Sequence, residues 1–303
     1  MSTSNANTND SKRLILIRHG RTHMNEYLAT EGSNWGDTKF TDMFDESVHH
    51  LYKDSPLSQK GTRQAQELHK YFLSTEMGRE IIQDIELVAV SPLRRTLQTA
   101  EIGILPHFCS SSSSESDDSL SSTSSPSPSP SVPFVALPLA SERVYLISDI
   151  GKSTTQLNQL FSFADFDREF DKFDGEEWWF TVKDSTSGNG SRASSSSTKK
   201  CDAPSDIYSF NYMYRDNYEE WRPNDGDQEY ACLGEPDDAF HKRMRSLYQW
   251  IESREETVIC LVCHFGVLEW LVGEKFDNCE VQDVSFEKIK AHVLDSSRML
   301  PEN

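Results

Sequence analysis

Leu14-Ile15-Leu16-Ile17-Arg18-His19-Gly20 is the stretch on which the reading of the fold turns. Four consecutive apolar residues without polar alternation predict a strand covered on both faces, and the run breaks at once into Arg-His-Gly. A second run, Val258-Ile259-Cys260-Leu261-Val262-Cys263, ends the same way, in His264. Two buried strands, each ending in a histidine, predict a parallel pair that delivers two imidazoles to one edge of a sheet. In open α/β sheets that edge, at the carboxyl ends of the strands, is where ligands bind. A histidine flanked by arginine there is a candidate nucleophile toward an anionic group, and the second histidine can help to hold the anion.

Outward from these runs, strands and helices alternate. Ser58-Gln59-Lys60-Gly61 opens an amphipathic helix of about four turns with Ala65, Leu68, Tyr71 and Phe72 on one face. Residues 85–90 read as a second strand. Ser91-Pro92 then predicts a helix start with serine as the cap and Leu93, Leu97, Ala100 and Ile104 as the apolar stripe. Arg94 and Arg95 fall in its first turn, where cations oppose the helix dipole but add to the anion-binding capacity of the free amides. Residues 134–137 form a third strand, which places Glu142 just beyond its end. Residues 157–221 are dense in aromatics and carboxylates and read as an excursion capping the sheet edge. Residues 235–252 read as a helix, and Val267, Leu268, Leu271 and Val272 as another, directly after His264. The expected fold is a three-layer α/β/α sandwich on a mostly parallel sheet.

A chain of 303 residues, 36% hydrophobic, can bury a full core, and apolar runs at both ends of the chain favour a single domain over residues 12–303. Three segments lack the apolar surface to offset the entropy of ordering: residues 1–11, about 110–131 and about 184–200, all expected to be disordered. Ser125, Ser127 and Ser129 each precede proline and are candidate phosphorylation sites, with an inert spacer the simpler reading. A formal charge of −19, from 30 Lys and Arg against 49 Asp and Glu, excludes nucleic acid and anionic membrane as main partners. Any anion site is then a local basic pocket. Six cysteines without regular spacing, and no apolar leader or spanning segment, point to a soluble protein of the cytoplasm, with the nucleus as the alternative. Cys260 and Cys263, three apart on a strand, face opposite ways and read as core residues.

The run Arg18-His19-Gly20-Arg21-Thr22-His23-Met24-Asn25 resembles the Arg-His-Gly-x-Thr-x-x-Asn motif of the histidine phosphatase superfamily, or phosphoglycerate mutase-like family. Three further blocks agree in order: Pro56-Leu57-Ser58-Gln59-Lys60-Gly61, Ser91-Pro92-Leu93-Arg94-Arg95-Thr96-Leu97 and Val262-Cys263-His264-Phe265-Gly266. The resemblance implies a phosphatase of the histidine acid phosphatase type, acting on phosphoric monoesters of a small molecule or a phosphoprotein. His19 would be the nucleophile and become a phosphohistidine. Arg18, Arg95 and His264 would clamp the phosphate oxygens, and Asn25 and Thr22 would add neutral contacts. Glu142 would be the proton donor, with Glu101, Glu176 and Glu177 as rivals for that role. The resemblance selects Arg95 over Arg94, and implies neither a metal nor a cofactor. Two other readings stay open: a phosphoglycerate mutase-type phosphomutase, and an inactive member that binds a phospho-ligand or a protein. Against the family pattern, Phe265 replaces the glycine that follows the second histidine in many members, which is expected to narrow the pocket floor. The sequence after Glu142 lacks the Tyr-Gly of the glycolytic mutases. The acidic excursion is expected to disfavour highly charged substrates such as phytate and to admit a small phosphoester with an apolar or cationic portion. Nothing in the sequence reads on oligomeric state.

Overall fold

In the computed structural model, residues 12–33, 51–109, 130–170, 178–179, 235 and 237–295 are described. The first apolar run forms β1 (Arg13–Arg18), whose four central residues are completely buried. It pairs in parallel with β4 (Val258–Cys263), in a register that sets Arg13 opposite Val258 and Arg18 opposite Cys263. His19 and His264, one residue past each strand, therefore leave the sheet at the same level, and the His19 N–H donates to the Cys263 carbonyl at 3.0 Å. β2 (Leu87–Val90) and β3 (Phe134–Ala136) extend the sheet beyond β4, and β5 (Val281–Ser285) closes the other edge. The order is β3-β2-β4-β1-β5, parallel throughout except for antiparallel β5.

Side-chain alternation along the strands builds a separate core on each face. One core joins Ile15, Ile17, Val88 and Val262 to α2 (Gln59–Ser74), α3 (Glu76–Asp84) and α4 (Arg94–Gly103). The other joins Leu14, Leu16, Ala89 and Leu261 to α6 (Asp237–Ser253), α7 (Phe265–Val272) and α8 (Phe286–Asp295). The predicted three-layer α/β/α sandwich is thus observed. Cys260 packs in the first core and Cys263 in the second, as a strand spacing of three requires. Two short helices complete the α-helices among the described residues: α1 (His23–Leu28) directly after the Arg-His-Gly segment, and α5 (Thr154–Leu160).

Some expectations are corrected. Ser91 does not cap α4: the helix starts at Arg94 with Leu93 in the cap position, and the Ser91 side chain turns to His264 instead. The missing cap is supplied from afar, as the Asp54 carboxylate accepts the Arg94 backbone N–H at 2.9 Å. Ser131, placed in a disordered insert by its composition, is tied back by its N–H to the Phe108 carbonyl at 2.8 Å. The excursion meets the β3 edge where Asp165 bridges to Val135, and Phe161, Phe166, Phe170 and Trp178 pack onto the first core. Residues 1–11, 110–129 with Ser125, Ser127 and Ser129, residues 184–200, and Glu176 and Glu177 lie outside the described residues.

Candidate active site

Glycine makes the turn that delivers His19. The backbone N–H of Gly20 donates to Thr99 Oγ1 at 3.0 Å, and the next residue folds against the start of α2, where Gly61 lies so close that any Cβ would collide with the Arg21 carbonyl. Ser58 caps α2 through the Gly61 N–H while its own N–H donates to that same Arg21 carbonyl. The Pro56–Gly61 block is therefore a buttress for the Arg-His-Gly turn.

His19 is almost fully buried, 4% exposed. Its Nδ1 lies 2.7 Å from the Gly20 carbonyl, an obligate acceptor, so Nδ1 carries the proton and Nε2 carries the lone pair. Burial, then the charges of Arg95 and Arg18, hold its pKa well below the ordinary histidine value, so the ring stays neutral. His19 lines a cavity of about 500 Å³ together with Arg18, Thr22, Asn25, Arg95 and Glu142. Six of the seven residues singled out in the sequence thus share one cavity wall.

The seventh, His264, is near but behind. Its ring centroid is 5.1 Å from that of His19, yet it is completely buried and is not among the lining residues. Its Nδ1 accepts from Arg95 Nε at 3.2 Å, which leaves the proton on Nε2, 2.7 Å from Ser91 Oγ. Burial and the Arg95 charge keep this ring neutral as well. Arg95 is further anchored to the Ser148 carbonyl at 2.6 Å and to the Asp149 carboxylate at 3.0 Å. Arg94 points elsewhere: its Nε and its terminal nitrogen donate to the Asp54 carbonyl at 2.9 and 2.7 Å.

Arg18 donates to the Phe276 carbonyl at 2.6 Å and lies over the Phe265 ring, 5.3 Å from its centroid. Phe265 thus lines the cavity as an aromatic support for Arg18. Thr22 and Asn25 exchange side-chain and backbone hydrogen bonds as the capping box of α1, which fixes both at the wall. Glu142 is half-buried, and its carboxylate accepts the Arg143 N–H at 3.0 Å and the Gly266 N–H at 3.3 Å. Burial and neighbouring Asp149 push its pKa up from the usual carboxylate value. A Cβ on Gly266 would run into Glu142 Oε1, so the residue after Phe265 must be small for the acid to sit there. Glu101 is exposed on α4 and does not line the cavity.

Asp149, Ser148, Arg143 and Phe240 also line the cavity and were not singled out in the sequence. Asp149 lies seven residues beyond Glu142, in a segment without strand or helix periodicity, so no local pattern marks it. Among the described residues no group of three or more His, Cys, Asp or Glu is arranged to hold a metal ion, and no helix is long and apolar enough to cross a membrane.

Residues 14–107 match the family model described as the histidine phosphatase superfamily (branch 1). The resemblance read from the motifs is borne out over that segment, which carries Arg18, His19, Thr22, Asn25 and Arg95. Glu142 and His264 lie beyond it. None of the curated proteins compared with the chain matches it. Among solved structures, the chain is similar to an alpha-ribazole phosphatase from Shigella flexneri, with 18% identity, 89% of each chain covered and a TM-score of 0.39. It is also similar to a phosphoglycerate mutase from Thermus thermophilus, with 15% identity, 90% of this chain and 93% of the other covered, and a TM-score of 0.36. Likeness at this level does not bear on the reading of the site.

Proposed function

We propose that the protein is a phosphomonoester hydrolase that works through a phosphohistidine at His19. The observation that carries this reading is the fixed tautomer of a neutral, buried imidazole whose lone pair is on Nε2, in a cavity it shares with Arg18, Arg95 and Glu142. In the first step Nε2 attacks phosphorus, the bond from phosphorus to the ester oxygen breaks, and protonated Glu142 gives its proton to the departing alkoxide. In the second, water attacks the phosphohistidine, Glu142 takes its proton, and the P–N bond breaks to restore the lone pair. Arg18 and Arg95 bind the phosphate oxygens, where positioned charge does most of the work of phosphoryl transfer. His264 acts through Arg95, orienting its guanidinium, with Thr22 and Asn25 at the wall as neutral donors. This design calls for neither metal nor cofactor. The apolar lining, Met24, Leu28, Leu146 and Phe240, suits a phosphoester with an apolar portion.

Inorganic phosphate release from an aryl phosphate across pH 4 to 8, with wild type beside His19→Ala and with a chelator present, tests the reading. Release that persists with the chelator and is lost in the variant supports it. A folded wild type that releases no phosphate contradicts it, and transfer of phosphate from a bisphosphate primer would then favour the phosphomutase.

A further inference from the structure

Glu142 sits on a stretch of chain that has no strand or helix of its own. β3 ends at Ala136, one short turn spans Pro138–Ala140, and residues 141–146 make no ladder. Beside the two N–H groups its carboxylate accepts, an acid on such a segment depends on what grips the backbone around it. That grip comes from a buried ion pair. Arg243, on α6, donates through Nε to Glu235 Oε1 at 2.9 Å and through a terminal nitrogen to Glu235 Oε2 at 2.6 Å, the two-pronged geometry of a strong pair. The rest of the same guanidinium donates to the carbonyls of Leu139 at 2.9 Å, Ser141 at 2.7 Å and Glu142 itself at 3.4 Å. Glu235 takes hold of the other side: its backbone N–H donates to the Val144 carbonyl at 2.7 Å, and its carbonyl accepts from Arg143 Nε at 2.7 Å.

We propose that the Arg243–Glu235 pair is the positioning device of the proton donor, holding residues 139–144 so that the Glu142 carboxyl faces the departing oxygen. The inference rests on the reading of Glu142 as the acid. A buried ion pair contributes little net stability, since desolvating both charges offsets most of their attraction. What this pair adds is geometry: Arg243 and Glu235, 9% and 3% exposed, satisfy four backbone carbonyls and the Arg143 side-chain Nε–H of this segment. Neither residue lines the cavity, so their effect on catalysis runs through Glu142.

A leaving-group series separates this role from general support of the fold. A nitrophenolate departs without a proton, whereas an alkoxide needs one. Arg243→Met and Glu235→Gln are compared with wild type and Glu142→Gln on a nitrophenyl phosphate and an alkyl phosphate, with thermal melts to establish folding. Expected is a loss of about a hundredfold in kcat/KM, which reports the first step alone, on the alkyl ester, the scale of a misplacement near 1 Å, while kcat/KM for the nitrophenyl ester stays within about threefold. Arg243→Lys, which keeps the charge and some of the carbonyl contacts, recovers part of the loss. Folded variants whose kcat/KM falls equally on both esters, or on neither, overturn the proposal. If Glu142→Gln shows no leaving-group selectivity, the assignment of the acid fails, and that failure is visible apart from the behaviour of Arg243 and Glu235. Should Arg243→Met not fold, Glu235→Gln, which keeps volume and hydrogen-bonding groups, carries the test.

Discussion

At the scale of single residues, the proposed mechanism pairs a nucleophile that must stay unprotonated with an acid that must stay protonated. Attack by His19 is lost as pH falls through its depressed pKa, which burial, Arg95 and Arg18 push well below 6.5. Protonation of the leaving group by Glu142 is lost as pH rises through a value raised above 4.5 by burial and Asp149. The profile of kcat/KM for an alkyl phosphate is therefore bell-shaped, and Asp149→Asn, by removing the like charge, moves the basic limb to lower pH. A limb unmoved in that variant contradicts the assigned cause. The adjacent arginines separate in the same spirit. Arg95→Ala lowers kcat/KM by about 10²–10³. Arg94→Ala spares most activity and lowers stability by roughly 1–3 kcal/mol, because it strips the partner from buried Asp54 while Arg94 itself keeps a fifth of its side chain exposed. Urea unfolding and kinetics on the two variants decide the matter. The distinction between the two was legible only through the family pattern, as residue chemistry alone treats them alike.

Among the elements, the legible ones are those whose burial is written in a continuous run. β1 and β4 are covered on both faces and read as strands at once, whereas β5, Val-Gln-Asp-Val-Ser, is an edge strand with one apolar side chain turned fully inward and carries no such signal. α2 matches the helix of about four turns that its apolar face predicts, whereas α3, separated from it only by Thr75, which ends one and caps the other, has no counterpart in the sequence reading. The cap of α4 misled because serine before proline is a local signal, while the actual acceptor, Asp54, arrives from forty residues away. The element most exposed to a single change is the α2 start. Gly61→Ala drives a Cβ into the Arg21 carbonyl, which costs about 1–3 kcal/mol of stability and displaces the Arg-His-Gly turn. Wild-type activity and an unchanged melting temperature in that variant would show that the buttress does not bear on the turn.

Over the whole molecule, the chain carries −19 formal charges and yet presents arginines to its cavity. The overall field repels an anionic substrate at long range, while the pocket attracts it at contact. Salt at about 0.15 M screens exposed charges beyond about 8 Å and leaves enclosed ones less affected. Raising ionic strength from low values is expected to increase kcat/KM for a monophosphate, and more steeply for a polyphosphorylated substrate such as phytate, which starts far lower. A fall in kcat/KM with salt would show that the local field governs the encounter. Fold class, sheet direction and the delivery of His19 to the sheet edge were readable because each depends on runs and spacings along the chain. Asp149, Ser91 behind His264, and the Arg243–Glu235 grip on the acid segment were not, because each exists only once distant segments have met.

The central claim is a covalent bond to His19, and it can be trapped. Protein mixed with a phosphate-labelled aryl ester, quenched in alkali within a turnover and mapped by proteolysis, is expected to carry an alkali-stable, acid-labile label on His19, absent from His19→Ala. Phosphate release by a folded wild type that never labels His19, or undiminished release by the alanine variant, would contradict the account.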